Sequence, residues 1–279
     1  MKMTVEALTR EAIEIRKALV AMIYQAKAGH IGGALSATDI ITALYFSIMN
    51  IDPANPNWED RDYFVLSKGH SVEPYLVALA RRGFFPTEEL ATFSQFGSRL
   101  IGHPNNEVPG VEMNTGALGH GLSIATGMAI GLKKSNRKNR VFALMGDGEL
   151  AEGSIWEAAM AASHYELDNL VGIIDRNHLQ ISGSTEDVMT LEPLAERWET
   201  FGWQIREIDG NDMQQVVQAL QEAPFSSGQP SLIIAHTIKG KGVAAIENLA
   251  HWHHGVPDKA LYEAAMTYFN QQLEGRNNG

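Results

Sequence analysis

The sequence predicts an α/β fold in which helices cover both faces of a parallel β-sheet. From about residue 140 onward, short apolar segments typical of buried strands alternate with segments of helical character. Strands and helices that alternate in this way form βαβ units, and such units build parallel sheets covered on both faces. Ligands of these folds bind at the carboxyl ends of the strands, so function is expected there.

The sequence of the N-terminal half predicts helices followed by a long loop. An amphipathic helix is expected over about 4–28, and a second helix is expected to begin at Ser36. Ser36 and Asp39 form a variant of the capping box ahead of an apolar run. Residues 94–121 contain six glycines and two prolines, which predicts an irregular segment. A long ordered loop in a compact domain is usually functional, although a plain surface excursion is the alternative.

The whole chain is expected to form one domain over 1–279, with a helical extension over about 256–273. A chain of this length buries roughly 75% of its surface on folding, which is enough for a substantial core. The remaining predicted elements are strands over 63–67, 141–145, 170–175, 203–208 and 232–235 and helices over 74–82, 154–165, 191–201 and 212–222.

The composition narrows the range of functions. The chain has 22 Lys and Arg against 33 Asp and Glu, and its net charge of −11 argues against nucleic acid or an anionic membrane as the main partner. It contains no cysteine, which excludes disulfides, thiolate metal sites and a cysteine nucleophile. The N-terminus lacks the apolar core of a secretory signal, and no run approaches the ~20 apolar residues of a membrane span. A cytoplasmic location is therefore expected.

Three predicted strands end in residues that suit an anionic ligand and a divalent cation. One strand ends in Gly-Asp-Gly around Asp147, the next leads to Asn177, and a third leads to the Gly- and Lys-rich turn 236–242. Glycine lets the backbone approach a ligand closely, and helix starts after such turns favour a diphosphate. A carboxylate and an amide oxygen, completed by phosphate oxygens, are typical of Mg²⁺. Taken alone, Gly-Asp-Gly is as readily explained by a tight turn.

The spacing of these residues is more specific. Asn177 follows Asp147 by 30 positions, one strand–helix–strand unit later, and this pattern resembles the thiamine diphosphate binding motif. Six motifs occur in the order seen in the N-terminal half of transketolases, so the chain resembles that family over about 10–265. They are Ala-Gly-His-Ile-Gly-Gly at 28–33, Ser-Lys-Gly-His at 67–70, Gly-His-Pro at 102–104, Thr-Gly-Ala-Leu-Gly-His-Gly at 115–121, Gly-Asp-Gly-Glu-Leu-Ala-Glu-Gly at 146–153, and Thr-Ile-Lys-Gly-Lys-Gly at 237–242 with His-Trp-His-His-Gly at 251–255.

The resemblance implies the thiamine-diphosphate-binding fold, and within it only the diphosphate-binding domain. A complete transketolase is roughly twice as long and also carries a pyrimidine-binding domain and a C-terminal domain. The chain therefore resembles the N-terminal subunit of a split transketolase and is expected to be inactive alone. The implied partner is a C-terminal subunit with the two missing domains, in a heterotetramer. The implied reaction transfers a two-carbon ketol group from a ketose phosphate to an aldose phosphate, with specialised sugar catabolism as one setting.

The resemblance also implies a metal site. Asp147 and Asn177 correspond to side-chain ligands of a divalent ion, and the backbone carbonyl of Leu179 corresponds to a third ligand. Hard oxygen ligands of this kind suit Mg²⁺, with Ca²⁺ or Mn²⁺ as alternatives.

Further roles follow from the same resemblance. His70 and His251 correspond to histidines near the cofactor diphosphate and the reacting carbon, and Gly148 to a backbone N–H that approaches a phosphate. Gly116 and Leu118 resemble residues that touch the aminopyrimidine and the thiazolium ring. An apolar residue such as Leu118 suits a site from which water is excluded.

Two histidines resemble residues that contact the substrate. His30 and His103 correspond to groups at the donor hydroxyls and the C2 oxygen, where an imidazole can accept or donate a proton. Glu152 resembles an acid that links cofactor sites across an interface, and a helix-start carboxylate is the equally plain alternative. The histidines of 251–254 could instead suggest zinc, but no cysteine or regular i,i+4 pair supports such a site.

The sequence departs from the common family pattern at three positions. Ile31 and Ala117 stand where proline is usual, and His120 stands where glutamine is usual, so substrate geometry is not transferred through these positions. The alternatives are a subunit similar to 1-deoxyxylulose-5-phosphate synthase, which shares two of the motifs, and a non-catalytic protein that binds thiamine diphosphate. The α-subunit of a 2-oxoacid dehydrogenase is also split, but it lacks the motifs around His30 and His103.

Overall fold

The computed structural model describes residues 3–275 and confirms the α/β fold. Its helices are α1 (Val5–Ala26), α2 (Ile31–Ala43), α3 (Val72–Arg82), α4 (Gly121–Lys134), α5 (Gly153–His164), α6 (Thr185–Val188), α7 (Leu194–Thr200), α8 (Met213–Glu222) and α9 (Lys259–Gly275). Its strands are β1 (Tyr63–Leu66), β2 (Val141–Gly146), β3 (Leu170–Arg176), β4 (Leu179–Gln180), β5 (Gly183–Ser184), β6 (Gln204–Asp209) and β7 (Ser231–His236).

Five strands form one parallel sheet in the order β1-β2-β3-β7-β6, and β4 and β5 form a separate antiparallel hairpin. Alternate residues of each strand face opposite sides of the sheet. In β2, Phe142 and Leu144 join a core with α1, α2, α3, α8 and α9, whereas Ala143 and Met145 join a core with α4, α5 and α7. Both faces are therefore buried around β1, β2, β3 and β7, which explains why these strands are mostly apolar, whereas the edge strand β6 is polar and partly exposed.

The register of the sheet places the functional loops next to one another. Gly146 at the end of β2 pairs with Asp175 in β3, and Arg176 pairs with His236 at the end of β7. The segments that follow β2, β3 and β7 therefore begin side by side at the carboxyl edge of the sheet. This confirms the expectation that the three strand ends are neighbours.

The second helix does not begin at Ser36, as its capping pattern predicts, but at Ile31. Ser36 is fully buried inside α2, and its hydroxyl donates to the Asp175 carboxylate at 2.6 Å. Asp39 accepts two hydrogen bonds from Arg16 at 2.6 and 2.9 Å. Both side chains thus serve buried tertiary contacts rather than a helix cap, which local sequence cannot distinguish.

The prediction that no run approaches the length of a membrane span is wrong for one stretch within the described residues: Ile31–Ile48 is apolar and long enough to meet the criteria for a span. However, 94% of it is buried inside the structure. It comprises α2 and the π-helical turn Leu44–Ile48. The stretch therefore has the character of a central core helix.

Several elements have no counterpart in the sequence predictions. Helix α4 follows directly on the long loop, and its Gly127 and Gly131 lower helix propensity enough to hide it. The hairpin of β4 and β5 and the four-residue α6 are too short to show a period. The single domain over 1–279 stays a prediction, and residues 1–2 and 276–279 lie outside the described part of the chain.

Candidate cofactor and proton-transfer site

Asp147 lies at the carboxyl end of β2 with only 1% of its surface exposed. Its carboxylate accepts hydrogen bonds from the backbone N–H groups of Gly148 at 2.8 Å and His178 at 2.6 Å. Burial, together with the nearby negative charge of Asp175, raises the pKa of Asp147 to about 6. A cation bound here would relieve that electrostatic cost.

Asn177 and Leu179 complete a set of oxygen donors beside Asp147. The side-chain oxygen of Asn177 accepts the N–H of Leu179 at 3.2 Å, which bends the chain after β3. The carbonyl oxygen of Leu179 accepts a hydrogen bond from the Lys239 ammonium at 3.3 Å. We call Asp147, Asn177 and the Leu179 carbonyl the oxygen-donor set; a carboxylate, an amide and a carbonyl fit a hard divalent cation.

Arg176 is a buried cation next to this set, and the sequence patterns did not reveal it. It is 1% exposed, and its guanidinium lies 3.3 Å from the Asp147 carboxylate. The same guanidinium also pairs with Glu186 at 3.0 Å and Glu192 at 2.8 Å. Three carboxylates therefore share this one guanidinium.

A buried ion pair lies behind the oxygen-donor set. The Lys68 ammonium forms a short ion pair with Asp175, and the two residues are 2% and 0% exposed. Asp175 also accepts hydrogen bonds from Ser36 and Thr237. Burial alone would raise the pKa of Asp175, but Lys68 and the two hydroxyls hold it below its usual value. Lys68 further donates to the carbonyl of Gly33 at 3.0 Å.

Five histidines meet on the other side of Lys68, and we call them the histidine cluster. The ring centroid of His30 lies within 4.8 to 6.1 Å of four others, at the distances typical of packed aromatic rings. They come from four separate segments of the chain: His30 precedes α2, His70 follows β1, His103 lies in the long loop, and His253 and His254 precede α9.

Burial keeps the imidazoles of His30, His70, His103 and His253 neutral. It lowers the pKa of His70 to about 2 with help from Lys68, and the pKa of His253 to about 3 with help from Lys239. It lowers the pKa of His30 to about 4, with His254 contributing. Burial also lowers the pKa of His103. Neutral imidazoles can both accept and donate a proton, which suits them to act on sugar hydroxyl and carbonyl oxygens.

Lys239 connects the two groups of residues. It is 2% exposed, and its ammonium contacts both the Leu179 carbonyl and the Nδ1 atom of His253 at 3.3 Å. Burial, with the charge of Lys68, lowers the pKa of Lys239 to about 8. Two buried ammonium groups beside an oxygen-donor set favour an anion that binds together with a metal, such as a diphosphate.

The structure does not bring His251 into the histidine cluster. His251 is exposed and packs near Trp252, whereas His253 is partly buried against His30 and His70. The segment is a short 3₁₀ turn over Ala250–His253, and its backbone is non-helical at Trp252, between the two histidines. The sequence offers no signal that separates these histidines, because all lie within four residues of one another.

The other sequence-predicted residues lie around this edge. Gly116 has φ +153, and a Cβ there would lie 3.5 Å from the ring of His103. Leu118 is partly buried in the same loop. Glu152 is exposed and packs against Gly119. A Cβ added at Gly119 would lie 2.4 Å from the Cβ of Glu152. At Gly148, a Cβ would lie 2.7 Å from Gln180, so this close turn requires glycine.

The three departures from the family pattern differ in their surroundings. Ile31 is fully buried at the start of α2, directly after His30. Ala117 and His120 are exposed in the loop that leads to α4. The Nδ1 atom of His120 lies 3.2 Å from the carbonyl of Leu118.

Comparisons with known proteins identify the fold and the family that the sequence motifs indicate. Residues 8–272 match the family described as "Transketolase, thiamine diphosphate binding domain". The chain is 50% identical to one of the subunits of the apulose-4-phosphate transketolase of Phocaeicola vulgatus, over 99% of this chain and 100% of that protein. It is 40% identical to the 6-deoxy-6-sulfo-D-fructose transketolase subunit SqwG of Clostridium sp., over 95% and 97%. The transketolase structure from Leishmania mexicana superimposes with a TM-score of 0.85 at 26% identity, covering 100% of this chain but 47% of that one.

Proposed function

Because the chain belongs to the transketolase family and carries its thiamine-diphosphate-binding domain, we propose that it is the N-terminal subunit of a two-component transketolase. With its partner it would transfer a two-carbon ketol group from a ketose phosphate to an aldose phosphate. The observation that carries the proposal is the joint arrangement at one sheet edge: an oxygen-donor set and the histidine cluster, linked by the buried Lys239.

The oxygen-donor set would hold the metal of the cofactor. Asp147 and Asn177 would supply side-chain oxygens and Leu179 its carbonyl to Mg²⁺, with Lys68 and Lys239 attracting the diphosphate. The fit is supported by the raised pKa of Asp147 and by the ammonium that already lies against the Leu179 carbonyl. When bound, thiamine diphosphate supplies the electron sink for cleaving and forming carbon–carbon bonds.

The histidine cluster would handle protons of the sugar. His30 and His103 would accept or donate a proton at the hydroxyl and carbonyl oxygens of the ketose, because their imidazoles are neutral. We assign to His253, rather than His251, the histidine near the diphosphate and the reacting carbon. Its ring lies 4.8 Å from His70 and its Nδ1 contacts Lys239.

A partner would complete the site. The chain spans about half of the transketolase structures it matches, 47% of the Leishmania mexicana chain, but the full length of the Phocaeicola vulgatus relative, which is named as one subunit of its enzyme. We therefore propose a partner with pyrimidine-binding and C-terminal domains, in a heterotetramer that acts in the cytoplasm. The loops around the site carry exposed apolar residues that such a partner would cover: Phe96, Ile101, Ile181, Met189 and Leu249.

The substrate is proposed to be a ketose or ketose phosphate of a specialised catabolic route. Two relatives are named for apulose 4-phosphate and for 6-deoxy-6-sulfo-D-fructose. The site suits different sugars, because its histidines would exchange protons at the C2–C3 region, which all ketoses share.

The test is to purify the tagged full-length chain from its source cells with thiamine diphosphate and Mg²⁺ present. The eluate is assayed for ketol transfer with xylulose 5-phosphate and with apulose 4-phosphate as donors. We expect a co-purifying chain of about equal length, with activity that the isolated chain lacks. An active isolated chain would contradict the split-enzyme proposal, and a partner complex without any ketol transfer would contradict the reaction.

The metal assignment has its own test. Asp147→Asn removes the charge and keeps one of the two oxygens that accept the N–H groups of Gly148 and His178, and we expect thiamine diphosphate with Mg²⁺ to bind more than about 100-fold more weakly in calorimetry. Asp168→Asn is the matched control, since Asp168 also accepts a backbone N–H, from Gly228 at 2.9 Å, but lies outside the site. Equal binding by both variants would refute the assignment of Asp147.

A further inference from the structure

A single peptide group beside the histidine cluster forms hydrogen bonds with two other segments of the chain. It is the unit between Gly29 and His30, at the turn that leads into α2. Its N–H donates to the Glu73 carboxylate at 2.8 Å, and its carbonyl accepts the N–H of Gly255 at 3.2 Å. Gly255 directly follows His254, so the same peptide group connects Glu73 to the segment that contains two further histidines of the cluster.

Glu73 is an unusual residue for this position. It lies in the first turn of α3 and is 0% exposed. One carboxylate oxygen holds the His30 N–H, and the other is buried without a hydrogen-bond partner. A buried acceptor without a partner is costly, so its presence points to a use rather than to general stability.

The fit around the carboxylate is close. A Cβ at Gly29 would lie 2.8 Å from a Glu73 oxygen and 2.6 Å from Ile23 of α1, so only glycine lets the peptide approach. The groups that act on Glu73 are the backbone N–H of His30, from the turn before α2, and the charge of Lys68, from the segment before α3. From α1 the contact is the apolar Ile23, which contributes no charge.

We infer that Glu73 is a positioning residue, which fixes the His30 imidazole and the segment carrying His253 and His254 through the peptide group between Gly29 and His30. The proposal rests on the proposed function only for its effect on turnover; the placement of the rings is independent of it. Side-chain positions must hold within a fraction of an ångström for proton transfer, so loss of this support lowers the rate more than substrate affinity.

The charge of the carboxyl adds a second consequence. Burial raises the pKa of Glu73 to about 7, against the opposing effects of the His30 N–H and Lys68. Above that pH the ionised carboxylate accepts the backbone N–H of His30 more strongly, and below it this charge is lost. Glu73→Gln keeps an acceptor of the same shape but resembles the uncharged form at every pH.

The first experiment follows the histidine ring signals of the full-length chain by NMR, assigned with His30→Gln and His254→Gln. We expect Glu73→Leu to shift the His30 and His254 signals and Glu73→Gln to leave them near the wild-type positions below pH 6. Asp62→Asn is the matched control, because Asp62 is 3% exposed and accepts the Arg140 N–H at 2.8 Å at the opposite edge of the sheet. Unchanged ring signals in Glu73→Leu would overturn the inference, whether or not the chain binds a cofactor.

The second experiment measures turnover of the complex with its partner subunit. We expect Glu73→Leu to lower kcat by about 10- to 100-fold with KM within about threefold, and Glu73→Gln to restore most of it at pH 6. The Glu73→Gln profile should also lack an inflection that the wild type shows near pH 7. If Glu73→Leu is poorly folded by its melting curve, Glu73→Gln decides alone: a kcat at pH 6 that falls by more than about 10-fold, or an unchanged pH profile, would overturn the inference.

Discussion

The oxygen-donor set and the histidine cluster lie at one edge of the sheet, but they are built in different ways. Asp147 and Asn177 follow β2 and β3 directly, so the register of two neighbouring strands places them. The histidines come from four segments that are far apart in the chain and are held by loops and 3₁₀ turns. A sheet edge thus supplies a rigid cation site, while loops assemble the groups that exchange protons.

The two regions also differ in charge. Protein donors already surround the carboxylate of Asp147, whose pKa is raised by burial and by Asp175. In the histidine cluster, by contrast, burial lowers the pKa of every imidazole for which a shift is resolved, and the Nδ1 atom of His30 has no hydrogen-bond partner. One region is prepared to gain a cation, and the other is prepared to exchange a proton with a ligand.

The largest expected effect comes from breaking the ion pair that lies between the two regions. Lys68→Met leaves the Asp175 carboxylate buried without its counter-ion, and we expect the free energy of unfolding in urea to fall by about 3–5 kcal/mol. Lys133→Met is the control, because Lys133 and Asp168 are 38% and 32% exposed and the pair should contribute only about 0–1 kcal/mol. If the free energy of unfolding fell no further in Lys68→Met than in the control, the ion pair would not be what stabilises the structure between the two regions.

A smaller effect distinguishes the two histidines of the C-terminal segment. In the complex with the partner, we expect His253→Gln to lower kcat/KM by about 100-fold or more, because His253 packs in the cluster and contacts Lys239. His251→Gln, at an exposed position two residues away, should stay within about threefold of wild type. The reverse order of effects would place His251 in the site and would contradict the assignment from ring contacts.

The smallest effect concerns stability against acid. His70 has a pKa of about 2 when folded and near 6.5 when unfolded, so below about pH 6.5 the unfolded chain binds a proton that the folded chain does not. The free energy of unfolding therefore falls with falling pH, by up to about 1.4 kcal/mol per pH unit from this group. His70→Gln should flatten the curve between about pH 6 and 5.

The comparison of variants is needed because buried carboxyls act in the opposite direction. The pKa of Glu73 is raised to about 7 and that of Asp147 to about 6 in the folded chain. The contribution of each carboxyl to the free energy of unfolding therefore falls as the pH rises toward these values. The difference between wild type and His70→Gln isolates the imidazole, and exposed His164→Gln serves as the control. Parallel curves for wild type and His70→Gln would contradict the neutral state of the cluster.

Sequence alone determined the fold class, the family and the neighbourhood of Asp147 and Asn177. Each of these follows from features with a short period or a fixed spacing: apolar strands, helical segments between them, and one strand–helix–strand unit between the two residues. Because parallel strands place their carboxyl ends together, a spacing along the chain becomes a distance in space.

Only the tertiary structure decided where α2 begins and that His253 lies in the cluster. It also decided that Arg176 and Glu73 are buried beside the site. Ser36 has the local signature of a cap, but its hydroxyl is used by Asp175, 139 positions away. Which of several adjacent histidines turns inward, and which buried charge supports a site, depends on contacts between segments that no local pattern encodes. Those contacts form only when the loops pack, because burial and its electrostatic cost are properties of the whole fold.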